Sequence, residues 1–62
     1  MKYKIGDKCK IVNSYMDHLI GKTVTIKNLK YYKPPFYDCT IDDMNDLDIV
    51  CSEASIEKIE ED

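Results

Sequence analysis

The chain contains no arginine, no glutamine and no tryptophan, and only two glycines, two prolines and one histidine. Each shortage excludes something. Without a guanidinium fork, two-point reading of guanine edges or phosphates is closed to it, because a lysine ammonium acts as a point charge. Three cysteines, Cys9, Cys39 and Cys51, are odd in number and show no C-x-x-C spacing. That argues against a disulfide framework and a zinc knuckle and for reduced thiols. No apolar run approaches the length of about 18 residues that a membrane helix needs, and Met1-Lys2-Tyr3-Lys4 leads toward a strand rather than a signal peptide. The expected address is the cytoplasm, with no membrane partner.

What is present is β-structure. The expectation is one domain over residues 1–62, a size that buries only about 60% of the unfolded chain's surface and leaves no room for a deep enzyme cleft. The two glycines, Gly6 and Gly21, each introduce an alternating run, as hinges with positive φ would. Lys8 to Val12 places Cys9 and Ile11 inward; a polar loop follows and ends in Leu19-Ile20, which tucks under the sheet. Lys22 to Leu29 turns Val24 and Ile26 inward, and its β-branched content supports a strand. Two prolines mark 30–35 as an irregular loop. Phe36 to Asp42 and Leu47 to Cys51 are the next strands, with Tyr37, Cys39, Ile41, Ile49 and Cys51 inward and a turn at Asp43 to Asp46. Ser52 to Ser55 reads as a helical turn, and Ile56 and Ile59 close a fifth strand before the frayed acidic tail of 59–62.

The runs G-D-K-C-K-I and L-I-G-K-T-V-T-I, followed by Y-D-C-T-I-D-D and D-I-V-C-S-E-A-S-I-E, resemble the two halves of small SH3-like barrels, a superfamily that includes the KOW type. The resemblance implies an all-β, five-stranded SH3-like barrel with one short helical turn before the last strand. The KOW pattern places a further glycine where this chain has Val24, and the proline-peptide readers carry a groove tryptophan that is missing here. The superfamily hosts many unrelated binding roles, so function has to come from the residues.

Charge is segregated. Residues 1–37 hold eight lysines against Asp7 and Asp17, net +6, while residues 38–62 hold ten carboxylates against Lys58, net −9. Part of this is expected to be cross-strand pairing: meeting of inward residues would set Ile26 against Cys39, Val24 against Ile41 and Lys27 against Asp38. Between the third and fourth strands the same logic pairs Ile41 with Ile49 and Cys39 with Cys51, and brings Asp42 against Asp48. With Asp38, Asp43, Asp46 and Glu53, these would form an acidic face suited to a basic protein partner, flanked by Tyr31, Tyr32 and Phe36. The competing surface is a lysine track, Lys8, Lys10, Lys22, Lys27, Lys30 and Lys33, with Tyr15, Tyr31 and Tyr32 as stacking platforms for single-stranded nucleic acid. A pI near 5.0 counts against it.

Calcium and zinc fit poorly. A calcium loop counted from Asp42 has Met44 at its third position and Leu47 where glycine is required. The three sulfurs fall on the inward phase, where cysteine packs as a small apolar residue, and His18 sits in a loop. One histidine and no cleft offer little to nucleophilic catalysis. The expectation is a non-enzymatic protein-interaction module without cofactor. Its lysine-only, isoleucine-rich composition resembles AT-rich bacteria and their mobile elements, which suggests a phage- or plasmid-encoded regulator or inhibitor that binds a basic surface. Alternatives are a nucleic-acid-binding barrel and an assembly subunit that oligomerises through a strand edge.

Overall fold

The computed structural model describes residues 2–60. Five strands, β1 (Lys8–Ile11), β2 (Thr23–Tyr32), β3 (Pro35–Ile41), β4 (Leu47–Ser52) and β5 (Ile56–Lys58), form one antiparallel sheet in the order β4-β3-β2-β1-β5. Two short 3-10 turns interrupt them, Asp17–Leu19 in the first loop and Glu53–Ser55 immediately before β5. The protein is therefore all-β with a helical turn ahead of the last strand. The sheet curls without closing: pairing stops at β4 on one side and β5 on the other.

Both glycines do what the alternating runs require. Gly6 and Gly21 sit at φ +93°, a conformation costly for any residue with a Cβ. Their N–H groups donate to the carbonyls of Ile26 and Ile11, each at 2.8 Å, so each turn is fastened to a strand. The inward set follows the period of two: Cys9, Ile11, Val24, Ile26, Tyr37, Cys39, Ile41, Cys51 and Ile56 are all buried, with Ile49 packed against them. Full burial of an Ile or Val side chain stabilises by roughly 1.5–3 kcal/mol, which makes this short list the main source of stability. Leu19 tucks under the sheet as expected, whereas Ile20 remains exposed.

One core residue was not foreseen. Tyr3 is buried, its ring meeting Tyr37 edge-on at 5.7 Å between centroids. Its hydroxyl donates to the Ile56 carbonyl at 3.2 Å, and its N–H donates to the Tyr37 hydroxyl at 3.2 Å. The segment before Gly6 is thus a fastened strap across one mouth of the curled sheet.

Four expectations are corrected. The loop predicted over 30–35 is only a tight turn at Lys33-Pro34, joined by a cis peptide bond, because β2 continues to Tyr32 and Pro35 opens β3. A proline at the first position of a strand forfeits no ladder donor. The expected Val24–Ile41 and Ile26–Cys39 pairs are present, but Lys27 does not face Asp38: register shifts between Ile26 and Asn28 and between Leu29 and Tyr31 leave Lys27 and Lys30 as extra residues, and Asn28 faces Asp38. On the other side, Ile41 faces Leu47, Cys39 faces Ile49 and Thr40 faces Asp48, so Asp42 and Asp48 are not opposed. Asn45 and Asp46, both at φ +54°, close the turn two residues sooner than the hydrophobic pairing assumed. The expected strand of Ile56 and Ile59 ends at Lys58, although the Ile59 N–H still reaches the Lys8 carbonyl at 2.9 Å; of the predicted tail, residues 61 and 62 lie outside the described residues.

Candidate interaction surface

The strand register arranges the outer face in rows. Lys8, Thr25, Thr40 and Asp48 make one row across β1 to β4; Asn28, Asp38 and Val50 make the next; Tyr31, Phe36 and Ser52 make the last. The face therefore grades from charged at one end to aromatic at the other.

At the charged end the carboxylates are already matched. Asp42 accepts from Lys8 Nζ at 2.9 Å and from the Thr25 hydroxyl at 2.7 Å, and Lys8 also donates to Thr25 at 2.6 Å. The Lys8 ammonium, then Thr25, hold the Asp42 carboxyl below the usual carboxylate range. Lys22 meets Asp43 and Lys27 meets Asp48, each at 2.9 Å. The Asp48 contact raises Lys27 above its ordinary value. Glu53 is turned elsewhere: it accepts from the Tyr37 hydroxyl at 2.6 Å and from the Lys2 N–H at 3.4 Å. Burial, then the Glu53 contact, pushes the Tyr37 hydroxyl up. Of the six carboxylates expected on one acidic face, Asp38 and Asp46 alone make no ion pair or side-chain hydrogen bond among the described residues.

The predicted lysine track is broken by the same contacts. Lys8, Lys22 and Lys27 are committed to aspartates, while Lys10, Lys30 and Lys33 are exposed and form no ion pair among the described residues. Lys10 stands apart on β1 beside Thr23 and Glu57, and Lys30 and Lys33 lie at the tip of the β2–β3 hairpin.

The aromatic end carries part of the exposed apolar area. Tyr31 and Phe36 meet edge-on at 6.1 Å, and Tyr31 and Tyr32 are 58% and 76% exposed. Beside them a groove of about 370 Å³ runs between β4 and the first loop, lined among others by Tyr15, Phe36, Ile49, Val50 and Ser55. Tyr15, expected as a stacking platform, is fully exposed and stands on the far wall, so it belongs with Phe36 rather than with the lysines. Val50 was missed by sequence reasoning; its outward phase between Ile49 and Cys51 was the available signal. A second hollow of about 420 Å³ opens where the Tyr3–Ile5 strap crosses Leu29 and Tyr37.

All three thiols are free and buried. Burial, with Asp7 adding, pushes the Cys9 thiol up; the neighbouring Cys51 thiol, then burial, pushes Cys39 up as well, its Sγ donating to the Tyr37 carbonyl at 3.7 Å. His18 lies exposed in the first 3-10 turn. Among the described residues, no three His, Cys, Asp or Glu side chains gather as a metal site would require, and no helix is long and apolar enough to cross a membrane. The sequence matches no family model, no curated protein and no solved structure.

Proposed function

We propose that the protein is a non-enzymatic interaction module of the SH3-like barrel type that binds a protein partner along the groove side of the sheet. Tyr15, Tyr31, Phe36 and Val50 supply the apolar contact, with Asp38, cross-strand from Val50, as an open carboxylate beside it. One observation carries this reading. Tyr15 and Phe36 line a groove with Val50, and exposed Tyr31 packs edge-on against Phe36, whereas three of the six lysines that a nucleic-acid track needs are paired with Asp42, Asp43 and Asp48. Aromatic anchors beside a concave surface are the usual centre of a protein contact. Strand order and the 3-10 turn before β5 support the barrel resemblance. The internal pairing also shifts the expected contact away from a purely acidic strip.

Nucleic acid is the second reading. In its favour, Lys30, Tyr31, Tyr32 and Lys33 are all exposed at one hairpin tip. The test pairs two experiments. An amide NMR titration with mixed-sequence oligonucleotides at low salt is expected to leave residues 30–33 unmoved. Quantitative capture of proteins by the wild type is expected to yield a partner lost by the folded Tyr31→Ala, Val50→Lys double variant and retained by Lys30→Glu, Lys33→Glu. A partner indifferent to the first variant, or oligonucleotide shifts centred on the hairpin tip, would overturn the protein-binding reading.

A further inference from the structure

We infer that the free edge of β4 is a docking edge, on which a lysine- or arginine-bearing extended segment of a partner protein adds as a sixth strand. This rests on the interaction-module reading and specifies its mode and the chemistry of its partner.

The sheet has two edges, and they differ. β5 is three residues long, and short edges are one of the ways proteins blunt unwanted pairing. β4 is six residues long and, among the described residues, pairs with β3 alone. Alternate N–H and C=O groups of β4 therefore point away from the sheet. Among the described residues no backbone hydrogen bond occupies that side; near its end the Ser52 carbonyl is taken by the Ser55 hydroxyl at 2.9 Å. Leu47 and Val50, which face opposite sides of the strand, are 51% and 44% exposed. Apolar residues are thus available above and below an incoming chain. The groove supplies the space: it follows β4 from Ile49 to Ser52, and its far wall is the Asn13–Tyr15 loop. A strand of this length spans roughly 20 Å at about 3.3 Å per residue, enough for a segment of about five or six residues.

Charge selects the occupant. No lysine occurs between Lys33 and Lys58, and the edge itself carries Asp48, with Asp46 in the turn before it and Asp38 on the neighbouring strand. Asp48 remains 73% exposed despite its contact with Lys27, the only cation bound to this strip among the described residues. Pairing of β4 with β4 of a second copy would bring two such acidic edges together, which cross-strand repulsion disfavours. A segment alternating basic and apolar residues relieves the repulsion, placing ammonium or guanidinium groups over Asp38 and Asp48 on the outer face. Its alternate apolar side chains enter the groove beside Ile49. Backbone bonds then supply affinity and the side-chain alternation supplies selectivity.

The experiment uses the wild-type chain and three blocked synthetic peptides: Lys-Val-Lys-Thr-Lys-Val-Lys, its counterpart with glutamate for lysine, and the lysine peptide N-methylated at alternate residues on its pairing edge. The lysine peptide is expected to give saturable amide shifts over Leu47 to Ser52, slowed hydrogen exchange at alternate β4 amides, and affinity at least about tenfold above the other two. Equal binding of the N-methylated peptide overturns strand addition, since charge alone would then account for it. Shifts confined to other segments, no binding, or self-association through β4 without peptide overturn it too. The capture experiment with Tyr31→Ala, Val50→Lys judges the module reading separately, because it asks only whether a partner needs those side chains.

Discussion

The two ends of the outer face resolve the same charge segregation in opposite ways. At the charged end, lysines of the first half of the chain meet aspartates of the second half across the ladder and the turn, and little is left over. In the row next to the aromatic end Asp38 has no such lysine among the described residues, and its neighbours are Asn28 and Val50. A net of +6 followed by −9 looked like two binding surfaces in sequence. Folding the halves against one another pairs aspartates of the second with lysines of the first, so neither charged surface survives whole.

The largest effect is expected beneath the aromatic end. Tyr37 accepts from the Tyr3 N–H and donates to Glu53, so Tyr37→Phe strands a buried donor and should cost about 2 kcal/mol. At about 4–8 °C per kcal/mol for a domain of this size, thermal melting would fall by roughly 8–16 °C. Because the Tyr37 hydroxyl titrates higher folded than unfolded, its contribution is present below about pH 10 and is lost as pH rises through the folded value; Tyr37→Phe should flatten that alkaline decline. A melting curve identical to wild type would remove the strap from the account of stability.

Next comes the contrast in binding. Tyr31→Ala with Val50→Lys should weaken the captured partner at least tenfold, about 1.4 kcal/mol, and move melting by under about 0.5 kcal/mol, since both side chains are exposed. Asp42→Asn should do the reverse. Stability is expected to fall by about 1 kcal/mol or less, because Asp42 is partly exposed and screened, while partner binding is unchanged. The sign with pH is set by the lowered Asp42 carboxyl: its stabilisation is present above the unfolded value near pH 4 and disappears as pH falls through the folded one. Acid melts of Asp42→Asn should therefore lose part of that limb. Smallest is the Lys27–Asp48 pair, open to solvent on both sides. Asp48→Asn should shift melting within experimental error at physiological salt, and the swapped Lys27→Asp, Asp48→Lys pair should match wild type. A clear loss in either would show that the charged end does more than cancel charge.

Much of this was legible because the signals were local. The alternating residues, the β-branched run from Thr23 to Ile26 and the two glycines each act within a few positions of themselves, and the inward set they implied makes up most of the observed core, Tyr3 being the exception. The site was less legible. Phe36, Tyr31 and Tyr15 could each be named as candidate contacts, but that Phe36 and Tyr15 line one groove with Val50 depends on where β3 and β4 fall against the first loop.

By itself, then, the sequence determined the strand class, the face of each strand and the two glycine turns, since a period of two and a positive φ are properties of short stretches. Only the tertiary structure decided which lysine meets which aspartate, that Tyr3 is buried, and that β4 is left with an open edge. The physical reason is the same in each instance. A two-residue slip leaves every side chain on its original face, so the hydrophobic pattern cannot report register; the extra residues at Lys27 and Lys30 and the left-handed pair at Asn45 and Asp46 set it.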